Sequence, residues 1–189
     1  TRKESSAASD VYKRQIEGRD ITGKRPFEIA RAGLGFVPEE REVFANLTVD
    51  ENLRMGEQPP RPDAPAWTIE QMFGYFPRLK ERRNTRAGNL SGGEQQMLTM
   101  CRSLLGNPKV MLIDEPTEGL APKIVEVIAD VIRDIHQRGV SVVLVEQKLT
   151  IALKVSTRVS VMGHGRIVFE GPPAQLHERQ DVVQEWLAV

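Results

Sequence analysis

Two short apolar runs, VMLI at 110–113 and VSVVLV at 140–145, flank a long amphipathic stretch, and few folds accept that order. Between them, residues 122–138 carry Ile124, Val127, Ile128, Val131 and Ile135 at helical spacing, with Pro122 at the first position and Gly139 just past the last. Strand, helix, strand is a βαβ unit, which makes two parallel strands of one sheet and predicts the α/β class. Continuous apolar runs suit parallel strands buried on both faces, so both strands are expected to be covered on each side. A chain of 189 residues supplies one domain with at most a small appended lobe.

Composition removes several classes. The 26 Lys and Arg cancel the 26 Asp and Glu, so the basic excess typical of nucleic-acid binders is missing. A single cysteine excludes a disulfide framework and a cysteine-rich zinc site. No apolar stretch approaches the about 20 residues that span a bilayer, and no signal peptide is visible. A soluble, cytosolic, single-domain protein is expected.

Local signals divide the chain further. Residues 1–15 (TRKESSAASDVYKRQ) show neither helical nor strand period. They read as a disordered leader, resemble translated adapter sequence, and are set aside from the fold. Pro26 opens a short helix over 26–32 that Gly33 closes, and 34–37 is a strand stopped by Pro38. Thr48 with Glu51, Thr68 with Gln71, and Ser91 with Glu94 are capping boxes, each opening a helix. Four prolines in 56–66 mark a loop, and the helix behind Thr68 ends before Pro77. Together these helices make a small helical subdomain, roughly 48–105. Behind Ser91, the residues Met97, Met100, Cys101, Leu104 and Leu105 share one helix face, and Gly106 and Pro108 end it. Towards the C-terminus, 159–162 and 166–170 flank Gly163-His164-Gly165 and predict a hairpin.

Two motifs carry chemistry. The run VMLID ends in Asp114 and is followed by Glu115, and a buried parallel strand delivers such carboxylates to the sheet edge where α/β folds bind ligands. There Asp114 suits a Mg²⁺ held through its water shell, and Glu115 suits an attacking water. A strand followed by an acidic turn has the same pattern. In Leu90-Ser91-Gly92-Gly93-Glu94, two glycines expose backbone N–H groups at a helix start, where the dipole adds positive potential. Such a site suits a phosphate. A plain capping box reads the same way.

In combination the motifs are far more specific. LSGGEQQ, Asp114 of a buried strand 23 residues beyond Ser91, and TEGLAP at 117–122 resemble the signature, Walker B and D-loop of ATP-binding-cassette (ABC) ATPases. The finer resemblance is to ATPase subunits of branched-chain amino acid importers. It is carried by GLGFVPEEREVFANLTVDENL at 33–53, LSGGEQQML, DEPTEGLAP and LVEQ at 144–147, within a likeness that spans 16–189. Most ABC ATPases have glutamine in the Q-loop, where this chain has Glu39, and a switch histidine, where it has Gln147. Both departures are features of that subfamily.

The resemblance implies a P-loop NTPase-like ABC ATPase core with a helical subdomain, spanning 16–189. It implies an ATP-binding and ATP-hydrolysing subunit of an importer of branched-chain amino acids, with a related urea or amide importer as the alternative. By the same resemblance Glu115 and Gln147 are catalytic, Asp114 organises Mg²⁺, and Ser91, Gly92, Gly93, Glu94 and Glu39 contact ATP. The implied partners are a second ATPase subunit, in a homo- or heterodimer, and membrane permease subunits at the inner face of the plasma membrane. Nucleic acid is not among them. ABC proteins of DNA repair insert coiled coils or zinc modules between their Walker motifs, and none lies between Ile16 and Asp114.

Residues 18–24 (GRDITGK) fit G-x4-G-K, the first part of a P-loop. Arg25, however, stands where Ser or Thr would hold Mg²⁺, Pro26 follows, and no apolar strand precedes Gly18. The stretch is set aside as a turn. The chain is therefore expected to lack the N-terminal Walker A segment, and to be an inactive fragment on its own. Arg78, Lys80, Arg82, Arg83 and Arg86 form a basic cluster read as solvated surface, with partner contact as the alternative. Cys101, Trp67 and Trp186 read as packing residues, and His136, His164 and His177 as surface or turn positions.

Overall fold

The computed structural model describes residues 13–187, so most of the expected leader lies outside the described residues. The first element is a small antiparallel hairpin of β1 (Gln15–Ile16) and β2 (Arg19–Asp20). Its turn is Glu17-Gly18, with φ of 48° and 74°, the positive pair that two-residue hairpin turns demand. Gln15, the last residue of the expected leader, pairs with Asp20. The G-x4-G-K stretch is thus spent on chain reversal, with α1 (Pro26–Arg31) starting only after it.

A three-stranded parallel sheet follows, with β4 (Val110–Asp114) between β3 (Leu34–Val37) and β5 (Ser141–Val145). Val37 pairs with Ile113, and Asp114 with Val145, so the ends of β4 and β5 reach one edge together. Between β3 and β4 lie the helices α2 (Val49–Gly56), α3 (Ile69–Tyr75), α4 (Pro77–Glu81) and α5 (Gly92–Leu104). Thr48, Thr68 and Ser91 each accept the N–H three residues on, while Glu51, Gln71 and Glu94 return the bond, as the capping boxes require. The long helix α6 (Pro122–Gln137) crosses from β4 to β5. It buries Ile128, Val131 and Ile135, with Ile124 and Val127 half-buried against the same core. That core is continuous, running from Leu53, Phe73 and Leu79 of the helices to Met111 and Ile113 of the sheet.

The expectation that β4 and β5 are buried on both faces is not met. Met111 and Ile113 face the helices, but on the opposite face Phe36, Val143 and Val145 are 53%, 52% and 54% exposed. Among the described residues, α5 and α6 cover one side only, and alternate residues of each strand therefore point away from that layer. Beyond β5 come α7 (Leu149–Val155), the predicted hairpin of β6 (Val159–Gly163) and β7 (Arg166–Gly171), and α8 (Pro173–Glu178). These enclose a second small core around Val161, Phe169, Leu176 and Val182. Helix α7 has no side-chain cap and buries only Ile151, which is why the sequence does not announce it.

Candidate active site

Glu115 follows the last residue of β4 and turns sharply, with φ of 42°. Its N–H still extends the sheet, bonding the carbonyl of Val145 at 2.9 Å. Asp114, the strand's final residue, is half-buried beside it. From the end of β5, Gln147 donates through Nε2 to Oε1 of Glu115 at 2.5 Å, so the two residues expected to be catalytic are in contact. The flanking loops are braced from both sides. The Thr117 hydroxyl donates to Glu146 Oε2 at 2.7 Å, and Lys148 Nζ to the Thr117 carbonyl at 3.1 Å.

A cavity of about 330 Å³ opens against this edge, lined by Glu39, Glu40, Arg41, Gln96, Glu115 and Glu118. Gln96 is 2% exposed and neither its Nε2 nor its Oε1 has a hydrogen-bond partner. A larger apolar cavity of about 670 Å³, walled by Phe27, Phe36, Phe44 and Met55, shares no residue with it and lies away from Glu115.

Ser91 caps α5. Its N–H and its hydroxyl both donate to Glu94 Oε2 at 2.8 Å, which also accepts from Arg82 Nη1 at 2.9 Å. Burial pushes the Glu94 carboxyl upward, but these bonds outweigh it and hold the group below its usual range. Gly92 faces Arg41, whereas Gly93 faces Leu120 and Ile124.

The structure therefore brings Glu39 and Glu115 to one cavity, with Gln147 bonded to Glu115 and Asp114 adjacent in the chain. Ser91, Gly93 and Glu94 do not line that cavity, and Arg41 is the side chain that joins it to the start of α5. Sequence reasoning misses Arg41, Gln96, Thr117, Glu146 and Lys148. Only Gln96 carries a usable signal, standing one helical turn beyond Gly92 on the same face. Of the basic cluster, Arg78, Lys80, Arg82 and Arg83 each pair with a carboxylate of the chain. Cys101 is buried and its thiol is pushed up by desolvation, which leaves it a packing residue.

Among the described residues no group of three or more His, Cys, Asp or Glu could hold a metal ion. The donors at the sheet edge are all oxygens, which fits a Mg²⁺ that takes one carboxylate and completes its shell with water and phosphate.

Residues 5–118 match the ABC transporter family, a match that begins inside the expected leader. The chain belongs to that family and is an ABC-type ATPase. It is 44% identical over 162 residues to BraG, a high-affinity branched-chain amino acid transport ATP-binding protein of Pseudomonas aeruginosa, covering 86% of this chain and 70% of that protein. It is 34% identical to LivF of Archaeoglobus fulgidus, a probable branched-chain amino acid transport ATP-binding protein, over 87% of this chain and 70% of the other. Among solved structures, the ADP conformation of MJ1267, an ATP-binding cassette of an ABC transporter, superposes with a TM-score of 0.71 at 27% identity. That match covers 89% of this chain and 74% of the other.

Proposed function

We propose that this chain belongs to the ATPase that energises a branched-chain amino acid importer, and that Glu115 orients the water in ATP hydrolysis. The observation that carries this reading is the 2.5 Å bond from Gln147 to Glu115, which joins the end of β5 to the end of β4 beside the Glu39 cavity. A carboxylate in that position polarises water, while the neutral amide of Gln147 orients it without competing for the proton. Asp114 would hold Mg²⁺ through water, and the ion supplies charge neutralisation for the phosphates. Ser91, Gly92 and Gly93, at the N-terminus of α5, would face the γ-phosphate of a nucleotide held mainly by a second subunit.

The substrate reading is supported by the BraG and LivF relatives, which are named for branched-chain amino acid transport. It is supported by the Glu39 and Gln147 pair in place of glutamine and histidine. Among the described residues no helix is long and apolar enough to cross a membrane, so contact with the bilayer would come through permease subunits.

In a version of the chain that carries a Walker A segment, Glu115→Gln is expected to lower ATP turnover by at least about a hundredfold while nucleotide binding persists. Turnover within a few-fold of wild type removes Glu115 from this role. Reconstitution with the permeases, comparing leucine with urea as the transported solute, tests the substrate.

A further inference from the structure

The loop behind β3 sends one side chain across the site. Arg41 donates from Nη2 to the carbonyl of Glu118 at 3.0 Å. The same guanidinium lies over Gly92 so closely that a Cβ there would stand 2.2 Å from Nη1 and 2.9 Å from Cζ. A Cβ at Gly119 would meet Nη2 at 3.4 Å. One planar group is thus wedged between the N-terminus of α5 and the turn that follows Glu115. Glu118 in turn donates its N–H to the carbonyl of Glu115 at 3.2 Å, so Arg41 is two hydrogen bonds from the backbone of the water-orienting residue.

This placement is not one that the helix dipole favours, since a cation faces the positive end. Glu39, Glu40, Glu115 and Glu118, lining the same cavity, supply the opposing field. A guanidinium also presents nitrogens on two edges of a rigid plane, where lysine offers a single point charge. Only the former can rest on Gly92 and bond Glu118 at once.

We propose that Arg41 is a positioning residue that holds the turn carrying Glu115 against residues 91–93 and thereby sets the orientation of the hydrolytic carboxylate. This rests on the reading of Glu115 and the α5 N-terminus given above. It also gives Gly92 a second reason to lack a side chain.

Hydrogen exchange on the 189-residue chain tests the contact itself. Arg41→Ala is expected to speed exchange at the Glu118 amide about tenfold, leaving the β6–β7 hairpin unchanged. Gly92→Ala displaces the guanidinium and gives the same change, and combining the two adds nothing further. In a version of the chain that carries a Walker A segment, Arg41→Ala lowers kcat for ATP about tenfold with KM within about threefold, and Arg41→Lys recovers part of the loss. A side chain that merely supported the fold would instead shift the melting temperature and the exchange of the whole core. Unchanged exchange at Glu118 in both single variants overturns the proposal, as does a kcat for Arg41→Ala within about twofold of wild type. Glu115→Gln measured alongside separates the two readings. If it retains turnover, the role of Glu115 fails, while the exchange result still decides whether Arg41 holds the turn.

Discussion

Glu115 holds a backbone conformation that a side chain resists. Its φ of 42° lies in the left-handed region, which costs a residue with a Cβ roughly 1–2 kcal/mol, and Pro116 restricts it further. The strain persists because the N–H is bonded to Val145 on one side and the turn is held by Thr117, Glu146 and Lys148 on the other. Strain at a residue that also meets Gln147 accords with the role proposed for Glu115. Glu115→Gly is therefore expected to stabilise the 189-residue chain by roughly 1 kcal/mol in urea unfolding, whereas Glu115→Gln leaves the midpoint close to wild type. A glycine variant no more stable than the parent would show that the turn is relaxed and that its geometry is incidental.

At the scale of elements, α5 combines two duties at one end. The Ser91 hydroxyl caps the helix through Glu94, and the same N-terminus is the proposed phosphate face. Thr48 caps α2 in the same way, away from that site, and so isolates the capping contribution. Thr48→Ala is expected to cost about 1 kcal/mol of stability and, in a version that carries a Walker A segment, to leave ATP-driven dimer closure intact. Ser91→Arg costs a similar amount but blocks closure, because the side chain fills the phosphate space; size-exclusion chromatography with ATP distinguishes them. The Glu94 carboxyl adds a pH dependence. Its native pKa lies below the ordinary 4.5, so its stabilisation is complete above that value and fades as pH falls through the lower native one. Glu94→Gln is expected to flatten the acid limb of stability below about 4.5, read by circular dichroism, with little change in slope near neutrality. The same helix shows what a sequence can disclose. Caps and apolar spacing are local, and β3, α2, α3, α5 and α6 stand within a residue or two of their expected bounds. Glu115 and Gln147 sit in local motifs too. Arg41 was hidden in a run of charges, and its role depends on two segments distant in the chain. Val143 and Val145 read as buried because an apolar run does not say whether a second layer covers it.

For the whole molecule, the sheet edge and the hairpin together decide what the polypeptide can do alone. A P-loop needs a strand leading into a glycine turn and a helix whose N-terminus receives the phosphates. Here GRDITGK lies across and beyond the β1–β2 turn, with Glu17 and Gly18 making the reversal, and Arg25 rather than Ser or Thr follows Lys24. Lys24 is exposed, and its N–H bonds Ile21 within the turn. Among the described residues, the sheet edge offers carboxylates suited to water and Mg²⁺ and a helix end suited to a second subunit's nucleotide, but no cradle for the β- and γ-phosphates. Those phosphate contacts supply most of the binding and charge stabilisation in phosphoryl transfer. Purified residues 1–189 are therefore expected to show no specific ATP hydrolysis in a phosphate-release assay and no saturable Mg-ATP binding by calorimetry at micromolar concentration. Micromolar binding that disappears on Lys24→Ala would restore the hairpin as a phosphate site and overturn this assignment. Binding that survives Lys24→Ala but is lost on Ser91→Arg would instead place the nucleotide at the start of α5, between two copies of the chain.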